Sequence, residues 1–386
     1  MEKAEMERQQ AVERYHRGES AQQISASMRR SVRWLYKWIE RAEAGGEWWI
    51  EHSRRARQAW NRTDTDLESE VVQIRQRLAR EGGFNGAQSI AWELEEGGTE
   101  VPSIATINRI LNRHGLIAST SRYRPAKGRR YPTPNAAHAG SVHQSDFVGP
   151  RYLRGPVRFY SFNTVDVATA RCATVPLLHR STEAVIPAVW QTWMRLGIPQ
   201  YQQMDNELVF FGSRLHPRGL SQVLRLCLLH EVEPLFIPPA EPWRNGVVEK
   251  FNDHWQQKFL SQPMSSFEQL QVGSRSFDAR HNSRWRYRKI NGQTPNQALA
   301  ASRVAPRLPS TIDPPTLPLP RPRRGRYHFI RFIRSNRVLD IFGERFVLPD
   351  QAAHEYVQAT VDIATERLVV RLADHELTAF DYPLPK

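Results

Sequence analysis

The sequence predicts a multidomain α/β protein, in which a mixed β-sheet flanked by helices follows an N-terminal helical region and precedes a small β domain. Three observations support this fold class. Apolar runs of strand length alternate with segments of helical period in residues 136–305. The N-terminal third carries only helical patterns, and the last residues carry short β-branched and aromatic runs. Proline-containing stretches separate the three regions.

The first helical piece contains two helix start signals. Ser20 and Gln23 form a capping-box pattern before a helix with Ile24 and Met28 inward, and Ser31 can cap the next helix. The stripe of Leu35, Trp38 and Ile39 would then be buried. The register of residues 24–39 resembles the helix-turn-helix pattern of insertion-sequence transposases, with Tyr36 and Trp38 at the expected places. It departs from that pattern at the turn, where Arg29 replaces the usual glycine, so we expect a distorted turn.

A second piece of similar plan covers residues 86–117. We predict a helix over residues 87–96, a turn at Gly97 and Gly98, and a helix that starts after Ser103. Its apolar stripe is formed by Ile104, Ile107, Ile110 and Leu111. The alternative for both pieces is a three-helix bundle that makes only protein contacts, but two such pieces in tandem on a basic chain favour DNA binding.

The composition limits the classes of protein that this chain can belong to. It has 386 residues with 54 Lys and Arg against 40 Asp and Glu, a net charge of +14, which favours nucleic-acid partners over a merely soluble basic protein. No apolar stretch is long enough for a membrane span, and the polar N-terminal residues do not form a secretory signal. Cys172 and Cys227 lie in apolar runs without a C-x-x-C pair, which excludes a cysteine zinc site. We therefore expect a cytoplasmic, nucleoid-associated protein.

The C-terminal region changes to a strand pattern. Short β-branched and aromatic runs lie at residues 327–334, 337–342, 344–348, 356–362 and 368–372. Five short strands at this spacing predict a small SH3-like barrel, after a proline-rich linker expected to act as a semi-rigid spacer. Basic clusters at residues 121–131 and 321–334 suit phosphate contacts.

Three acids in the central region stand at the ends or starts of predicted elements. Asp146 lies in the first strand, Asp205 closes the fourth strand, and Glu249 lies in the first turn of a helix. Carboxylates brought together repel one another unless a hard cation neutralises them, and Mg²⁺ is the usual partner. Two such ions can stabilise the attacking and leaving oxygens of a phosphoryl transfer.

Four strings around these acids carry a family resemblance. They are SDFV at 145–148, D-N-x-x-x-x-F-G at 205–212, PWRNGVVEKFN at 242–252 and KINGQTPNQAL at 289–299. The first three resemble the acidic blocks of the retroviral-integrase core in DDE transposases of insertion sequences, and the fourth resembles the segment that follows that core. The resemblance implies an RNase H-like core, with Asp146, Asp205 and Glu249 as catalytic residues and ligands of two Mg²⁺ ions, for which Mn²⁺ can substitute. It also implies cleavage of transposon ends and strand transfer by a homo-oligomer, at least a dimer, on double-stranded DNA.

The spacing of the third acid leaves an alternative open. The family typically has about thirty-five residues between the second and third acids, which would select Glu241 rather than Glu249. We choose Glu249, because Glu241 lies between prolines whereas Glu249 follows an Asn-Gly helix entry. The surplus residues would lie in a longer loop at residues 212–219. Asp166 is a weaker rival, expected to make a turn or an ion pair, and Glu207 is expected to point away from Asp205.

These patterns give a complete domain assignment. We predict a helix-turn-helix domain at 1–60, a second, winged-helix-like domain at 61–120, a basic linker at 121–135, the catalytic core at 136–305, a proline-rich linker at 306–322 and a small β-barrel at 323–386. The predicted DNA contacts are Arg33, Trp34, Lys37, Arg41, Asn108, Arg109, Arg113, Arg122, Arg124, Lys127, Arg129, Arg130, Arg244, Asn245, Lys250, Arg321, Arg323, Arg324 and Arg326. Two other functions stay open: a non-catalytic DNA-binding regulator descended from a transposase, and an RNase H-like nuclease without strand transfer.

Overall fold

The structure is a computed structural model that describes residues 3–51, 63–117, 130–213, 215–216 and 218–385. The chain divides into two compact units, Met1–Thr65 and Asp66–Lys386. None of the helices in the described ranges is both long and apolar enough to cross a membrane.

The first unit is a three-helix domain built from α1 (Lys3–His16), α2 (Ala21–Met28) and α3 (Val32–Glu43). Both predicted caps are present, since Ser20 accepts from the Gln23 amide and Ser31 from the Trp34 amide. Ile24, Leu35 and Trp38 are fully buried in its core. The expected distortion at Arg29 is wrong, because Arg29 adopts the left-handed conformation, φ 53°, and ends α2 as a glycine would.

The second unit begins with another three-helix module, formed by α4 (Thr65–Arg80), α5 (Ala87–Glu96) and α6 (Ile104–Arg113). Ser103 caps α6 as predicted, and Ile107, Ile110 and Leu111 are buried. Ile104 was expected inside but is 38% exposed, because it occupies the first position of the helix. The described residues of this module contain helices and no strand, so the predicted wing is absent from them.

The remaining elements form the sheet and the helices that cover it. They are β1 (Val142–Tyr152), β2 (Arg158–Asp166), β3 (Cys172–Leu177), α7 (Thr182–Leu196), β4 (Tyr201–Met204), α8 (Leu208–Phe211), α9 (Gln222–Leu229), β5 (Glu233–Phe236), α10 (Gly246–Lys258), α11 (Phe267–Arg284), α12 (Pro295–Ala300), β6 (Arg326–Phe332), β7 (Val338–Ile341), β8 (Glu344–Val347), β9 (Tyr356–Asp362), β10 (Arg367–Leu372) and β11 (His375–Asp381).

Nine of these strands form one mixed sheet in the described part of the chain, in the order β11-β10-β9-β6-β5-β4-β1-β2-β3. β1, β2 and β3 are antiparallel neighbours, whereas β1, β4 and β5 run parallel. Residues of α7 and α9 pack into one hydrophobic cluster, and residues of α10 and α11 pack into another. The centre of the chain is therefore the predicted mixed sheet with helical layers.

The C-terminal strands do not stand apart as the predicted barrel. β6 pairs in parallel with β5, and β9, β10 and β11 continue the same sheet, while β7 and β8 form a separate hairpin. The stacked rings of Phe236 and Phe329, 5.2 Å apart, join the two regions in one hydrophobic core. The last strand of the sheet, β11, was not predicted.

The proline-rich segment is also not a spacer. The Ile198 amide donates to Arg307 O at 2.6 Å, and the Leu319 amide donates to Gln222 Oε1 at 2.7 Å. The Trp190 indole donates to Ile312 O at 3.2 Å. These bonds hold the segment along the surface of the helices α7 and α9.

The module α4–α6 packs directly on the helices α10 and α11. The ring of Phe84 stacks on His254 with centroids 4.4 Å apart. Arg280 donates to Glu81 O at 2.9 Å, and Arg286 forms an ion pair with Glu96 at 2.7 Å. The module is therefore part of the same packed body as the sheet, which agrees with the unit boundary at Asp66.

This contact predicts part of the pH dependence of folding. Burial, with help from the charges of Lys258 and Lys250, lowers the pKa of His254 to about 4. An unfolded histidine titrates near pH 6.5, so between about pH 6.5 and 4 only the unfolded chain takes up this proton, and stability falls as the pH falls. His254→Phe keeps the stacked ring without the proton site. Between pH 7.5 and pH 5, this variant should lose about 2 kcal/mol less of its free energy of unfolding than the wild type does, as measured by urea unfolding. The exposed His375→Gln serves as control, and an unchanged pH dependence in the His254 variant would contradict this account.

Candidate active site

The register of two parallel strands brings Asp146 and Asp205 to the same level of the sheet. Gln144 of β1 pairs with Gln203 of β4, and each aspartate lies two residues further along its chain. Residues two apart in a strand point to the same face, so the two carboxylates arrive side by side. Asp205 stands one residue beyond the end of β4, where its Oδ1 accepts from the Glu207 amide at 3.1 Å.

Glu249 reaches the same place from the first turn of α10. A 3₁₀ turn at Pro242–Asn245 leads into this helix, which begins at Gly246. A carboxylate in the first helical turn is favoured by the helix dipole. The three acids thus lie on or next to the three separate elements to which the sequence assigned them.

The electrostatics of the three acids connect them. Burial, followed by the charges of Glu249 and Asp205, raises the pKa of Asp146 to about 7. Burial also raises the pKa of Asp205. The pKa of Glu249 is raised by burial and by the charges of Asp253 and Asp205. Mutual repulsion of this kind requires proximity, and it favours a cation at the site.

Glu241 is engaged elsewhere. Its two carboxylate oxygens accept from the Tyr356 hydroxyl at 2.9 and 2.8 Å, and one of them accepts from Arg244 at 2.9 Å. The segment to which the surplus residues were assigned lies between α8, which ends at Phe211, and α9, which starts at Gln222. The bonds that engage Glu241 therefore favour Glu249 as the candidate third acid.

A network of buried amide side chains joins the elements that carry the acids. Asn245 donates to Ser145 O at 3.0 Å and accepts from Gln203 at 3.3 Å, which ties the helix entry to β1 and β4. Gln144 Oε1 accepts from the Val247 amide at 2.9 Å. Buried amides of this kind are stable only when they are satisfied, so they define one relative placement of the three segments.

Asn252 extends this network to the first acid. Its Nδ2 donates to Asp146 Oδ2 at 2.8 Å, and its Oδ1 accepts from Asn163 at 2.8 Å. Asn252 was not predicted from the sequence, although its position three residues after Glu249 places both on one face of a helix. A hydrogen bond to the carboxylate orients Asp146.

The charge of Glu207 reaches the site, although the sequence predicted that its side chain points away from Asp205. Its charge contributes to the raised pKa of Asp146, while Arg180 pairs with it at 2.6 Å. Burial and the charge of Asp205 raise the pKa of Glu207 itself. Arg180 therefore offsets part of the negative charge at this end of the sheet.

The donor set fits a hard divalent cation. Mg²⁺ usually binds one or two protein carboxylates and completes its shell with water and phosphate oxygens. Within the described ranges, no group of three His, Cys, Asp or Glu side chains is arranged to hold an ion.

The predicted DNA contacts beside Glu249 have different surroundings. Asn245 is 1% exposed and its amide is used inside the network, so it is not available to DNA as predicted. Arg244 is half-buried between the rings of Tyr131 and Tyr356, at 4.0 and 4.7 Å. Lys250 is exposed. Trp243 is 64% exposed, so it does not anchor this turn in the core.

The N-terminal candidates lie on two helices. On α3, Arg33 is exposed, Trp34 lies under Arg30, Lys37 pairs with Glu51 at 2.9 Å, and Arg41 lies 4.9 Å from the ring of Trp38. They lie outside the stripe of buried residues, as predicted.

On α6, Asn108 and Arg109 are exposed. Arg113 forms an ion pair with Glu68 at 2.6 Å, so its guanidinium is partly used within the module. Among the basic-linker candidates, Arg122, Arg124, Lys127 and Arg129 lie outside the described residues. Arg130 is exposed, 3.8 Å from Asp374.

The arginines at the entry to β6 are all exposed, but three of them have protein partners. Arg324 pairs with Glu231 at 3.0 Å and Arg326 with Glu233 at 3.8 Å. Arg321 donates to Pro385 O, whereas Arg323 is exposed without such a bond in the described ranges.

The remaining candidates have structural roles. Asp166 caps a turn, accepting from the Ala168 amide at 2.8 Å and the Thr169 amide at 3.2 Å, as expected for this rival acid. Cys172 and Cys227 are free and buried. His143 is buried, and burial lowers its pKa to about 4.

Comparisons with known proteins identify similarities to both parts of the chain. The Homeodomain-like domain family matches residues 3–47, which cover the helices α1–α3. The chain is similar to the HTLV-2 integrase catalytic core domain in complex with magnesium, at 17% identity and a TM-score of 0.33 over 43% of this chain and 99% of that one. It is also similar to the simian T-cell lymphotropic virus intasome in complex with the PP2A regulatory subunit B56 gamma, at 11% identity and a TM-score of 0.36 over 81% and 97%. The BIV integrase catalytic core matches at 13% identity and a TM-score of 0.32, over 42% and 94%.

Proposed function

We propose that this chain is a DNA transposase of the integrase type, which cleaves transposon ends and joins them to target DNA. The register that places Asp146 level with Asp205, and the bond to Asp146 from Asn252 of the helix that carries Glu249, support the proposal. The three acids would hold two Mg²⁺ ions, or Mn²⁺ in their place, with the phosphate of the substrate completing the coordination. The ions would supply charge stabilisation for a phosphoryl transfer in which an attacking oxygen and a leaving oxygen lie in line.

The reaction has two phosphoryl-transfer steps of the same type. In cleavage, water attacks a phosphodiester at the transposon end, the bond to the 3′ oxygen breaks, and a free 3′-hydroxyl is left. In joining, that hydroxyl attacks a target phosphodiester and displaces another 3′ oxygen. Asn252 orients Asp146, and the buried amides around Asn245 hold the α10 entry against the sheet. One site can therefore serve both steps.

Recognition of the ends would come from the N-terminal helical modules. The Homeodomain-like match covers α1–α3. In helix-turn-helix domains one recognition helix lies in the major groove, and its outward side chains read base edges there. Two ends must be joined together, so we propose at least a dimer on DNA.

The test is an in-vitro reaction with full-length protein and the element's own end sequences. We expect cleavage and joining with Mg²⁺ or Mn²⁺ and neither with EDTA. Specific binding without cleavage would support the regulator instead. Cleavage without joining would support the plain nuclease.

The arginines before and in β6 predict a salt-dependent contribution to DNA binding. Replacing Arg321, Arg323, Arg324 and Arg326 with Gln should weaken binding to end DNA and unrelated DNA by similar factors, because arginine contacts to phosphate release counterions. The slope of log K against log salt should flatten by roughly one unit for each arginine–phosphate pair that the substitutions remove. Three of these arginines have protein partners, so we expect a change below the maximum of about four units. An unchanged slope, or weakening confined to end DNA, would contradict phosphate binding here.

A further inference from the structure

The C-terminal strands reach the two loops that carry Asp205 and Glu249. β6 pairs in parallel with β5 through Leu235 with His328 and Phe236 with Phe329. This register places Ile330 level with Ile237, the residue at which the chain leaves β5. The next residue, Arg331, therefore lies at the sheet end where β4 delivers Asp205.

Arg331 bonds to both of the neighbouring loops. Its guanidinium donates to Asn206 Oδ1 at 2.8 Å and to Ile237 O at 3.1 Å. Asn206 in turn donates to Ile237 O at 2.7 Å, which closes a three-residue arrangement. Asn206 follows Asp205 directly, so the arrangement restrains the backbone that carries this acid.

The burial of the charged Arg331 side chain costs folding free energy. It is 6% exposed, and its bonds go to uncharged oxygen atoms. Burial lowers its pKa to about 10, which leaves it charged at neutral pH. A buried charge without a bonded carboxylate usually stabilises a fold less than an apolar side chain of similar size. This cost points to a role in placing the loops.

Tyr356 of β9 makes the corresponding contact with the segment that leads into α10. Its hydroxyl donates to Glu241, and its ring lies against Arg244. Arg244 O accepts from Gln203 at 2.9 Å, next to the end of β4. The turn that contains Arg244 leads into α10, whose first turn carries Glu249.

We propose that the C-terminal strands are a positioning element of the active site, in which Arg331 places the Asp205 segment and Tyr356 places the entry to the Glu249 helix. The proposal deepens the proposed function and rests on it for the catalytic role of the acids. Neither residue touches the reacting atoms. Both are positioning residues supplied by the last strands of the chain.

The first test measures placement without using activity. In hydrogen–deuterium exchange of the full chain, Arg331→Gln should accelerate exchange in peptides that cover residues 204–212. Peptides from β10 and β11 should keep the wild-type rate. The control is Arg367→Gln, which removes an exposed arginine at the start of β10. Unchanged exchange in residues 204–212, or equal loosening of β10 and β11, would overturn the positioning role.

The second test uses the cleavage reaction. Arg331→Gln should lower kcat about a hundredfold with KM for DNA within about twofold, since a misplacement near 1 Å has costs of this order. Arg331→Lys keeps the charge but loses the forked geometry, so it should recover only part of the rate. Tyr356→Phe keeps the ring and should lower kcat about fivefold, because the hydroxyl bonds to Glu241 are removed. A wild-type kcat in all three variants would contradict the proposal.

A double-mutant cycle separates positioning from a general loss of stability. If Arg331 acts through Asn206, then Asn206→Ala combined with Arg331→Gln should reduce kcat no more than the stronger single change. Multiplicative effects would show that the two residues act independently and would overturn the route through Asn206. A wild-type chain without cleavage activity would instead refute the proposed function, and the exchange experiment would still decide the placement.

Discussion

Replacing Asp146, Asp205 or Glu249 with the corresponding amide should abolish cleavage and joining while DNA binding persists. Each amide keeps the shape of the side chain but removes the negative charge that a divalent ion requires. Metal stabilisation of a phosphoryl transfer amounts to several kcal/mol, so we expect a loss of about a thousandfold or more in each variant. The measurement is the single-turnover rate on end DNA, together with a gel-shift titration of the same DNA.

Two neighbouring acids provide matched controls. Asp253→Asn removes an exposed charge from the same helix. This charge adds to the raised pKa of Glu249, but solvent screens it, so the rate should stay within about threefold. Glu241→Gln tests the rival with the usual family spacing, and we expect at most about a tenfold effect through its bond to Tyr356. A dead Glu241 variant beside an active Glu249 variant would reverse the assignment.

The amide substitutions should not unfold the protein. The raised pKa of Asp146 shows that its charged form is disfavoured where it lies. Removing that charge relieves desolvation and repulsion, so the Asp146 variant should melt at the wild-type temperature or above it. Lost activity with retained stability distinguishes a functional acid from a structural one.

Local signals explain why much of the fold was predictable. Ser20, Ser31 and Ser103 each cap the helix that the sequence assigned to them. Helix α5 has the predicted bounds, because a Gly-Gly turn ends it. Capping and period depend on residues only a few positions apart, so they can be read without a structure.

Contacts between distant segments explain most of what the sequence did not predict. The pairing of β5 with β6 joins residues more than ninety positions apart, and nothing in the pattern of either strand specifies that partner. The proline-rich segment was interpreted as a spacer for the same reason, since its bonds to α7 and α9 depend on tertiary packing. The helix α4, rich in charged residues, was also missed.

The candidate site shows the same division at the level of single residues. The three acids were identified from their neighbours in the sequence, but the partners that orient them were not. Asn245 was interpreted as a DNA contact because polar residues beside a catalytic acid often are. Its burial follows from the approach of β1 and β4, which bring Ser145 and Gln203 within hydrogen-bonding distance. The identity of an amide residue alone does not reveal that approach.

The second large effect concerns the proposed recognition of transposon ends by the first unit. A chain that begins at Thr63 lacks α1–α3 but keeps the module α4–α6. We expect its preference for end DNA over unrelated DNA to fall by about a thousandfold, because base readout supplies differences of this order. Salt-sensitive binding to any DNA should persist through the remaining basic residues. Competition titrations at two salt concentrations measure both quantities.

This deletion differs from removal of residues 1–120 in its structural consequences. The longer deletion also removes Phe84, Glu81 and Glu96, which contact α10, α11 and the residues just after α11, and so exposes the ring of His254 on α10. The shorter one stops before the boundary at Asp66 and should leave the urea unfolding of the second unit unchanged.

A point variant in the full chain completes the experiment. Arg33→Ala with Lys37→Ala removes two outward charges of α3 and should reproduce most of the reduced preference, while Arg17→Gln, an exposed change just after α1, should not. If the chain that begins at Thr63 still discriminated ends as well as the full chain does, sequence recognition would have to come from the second unit, with Asn108 and Arg109 of α6 as the exposed candidates.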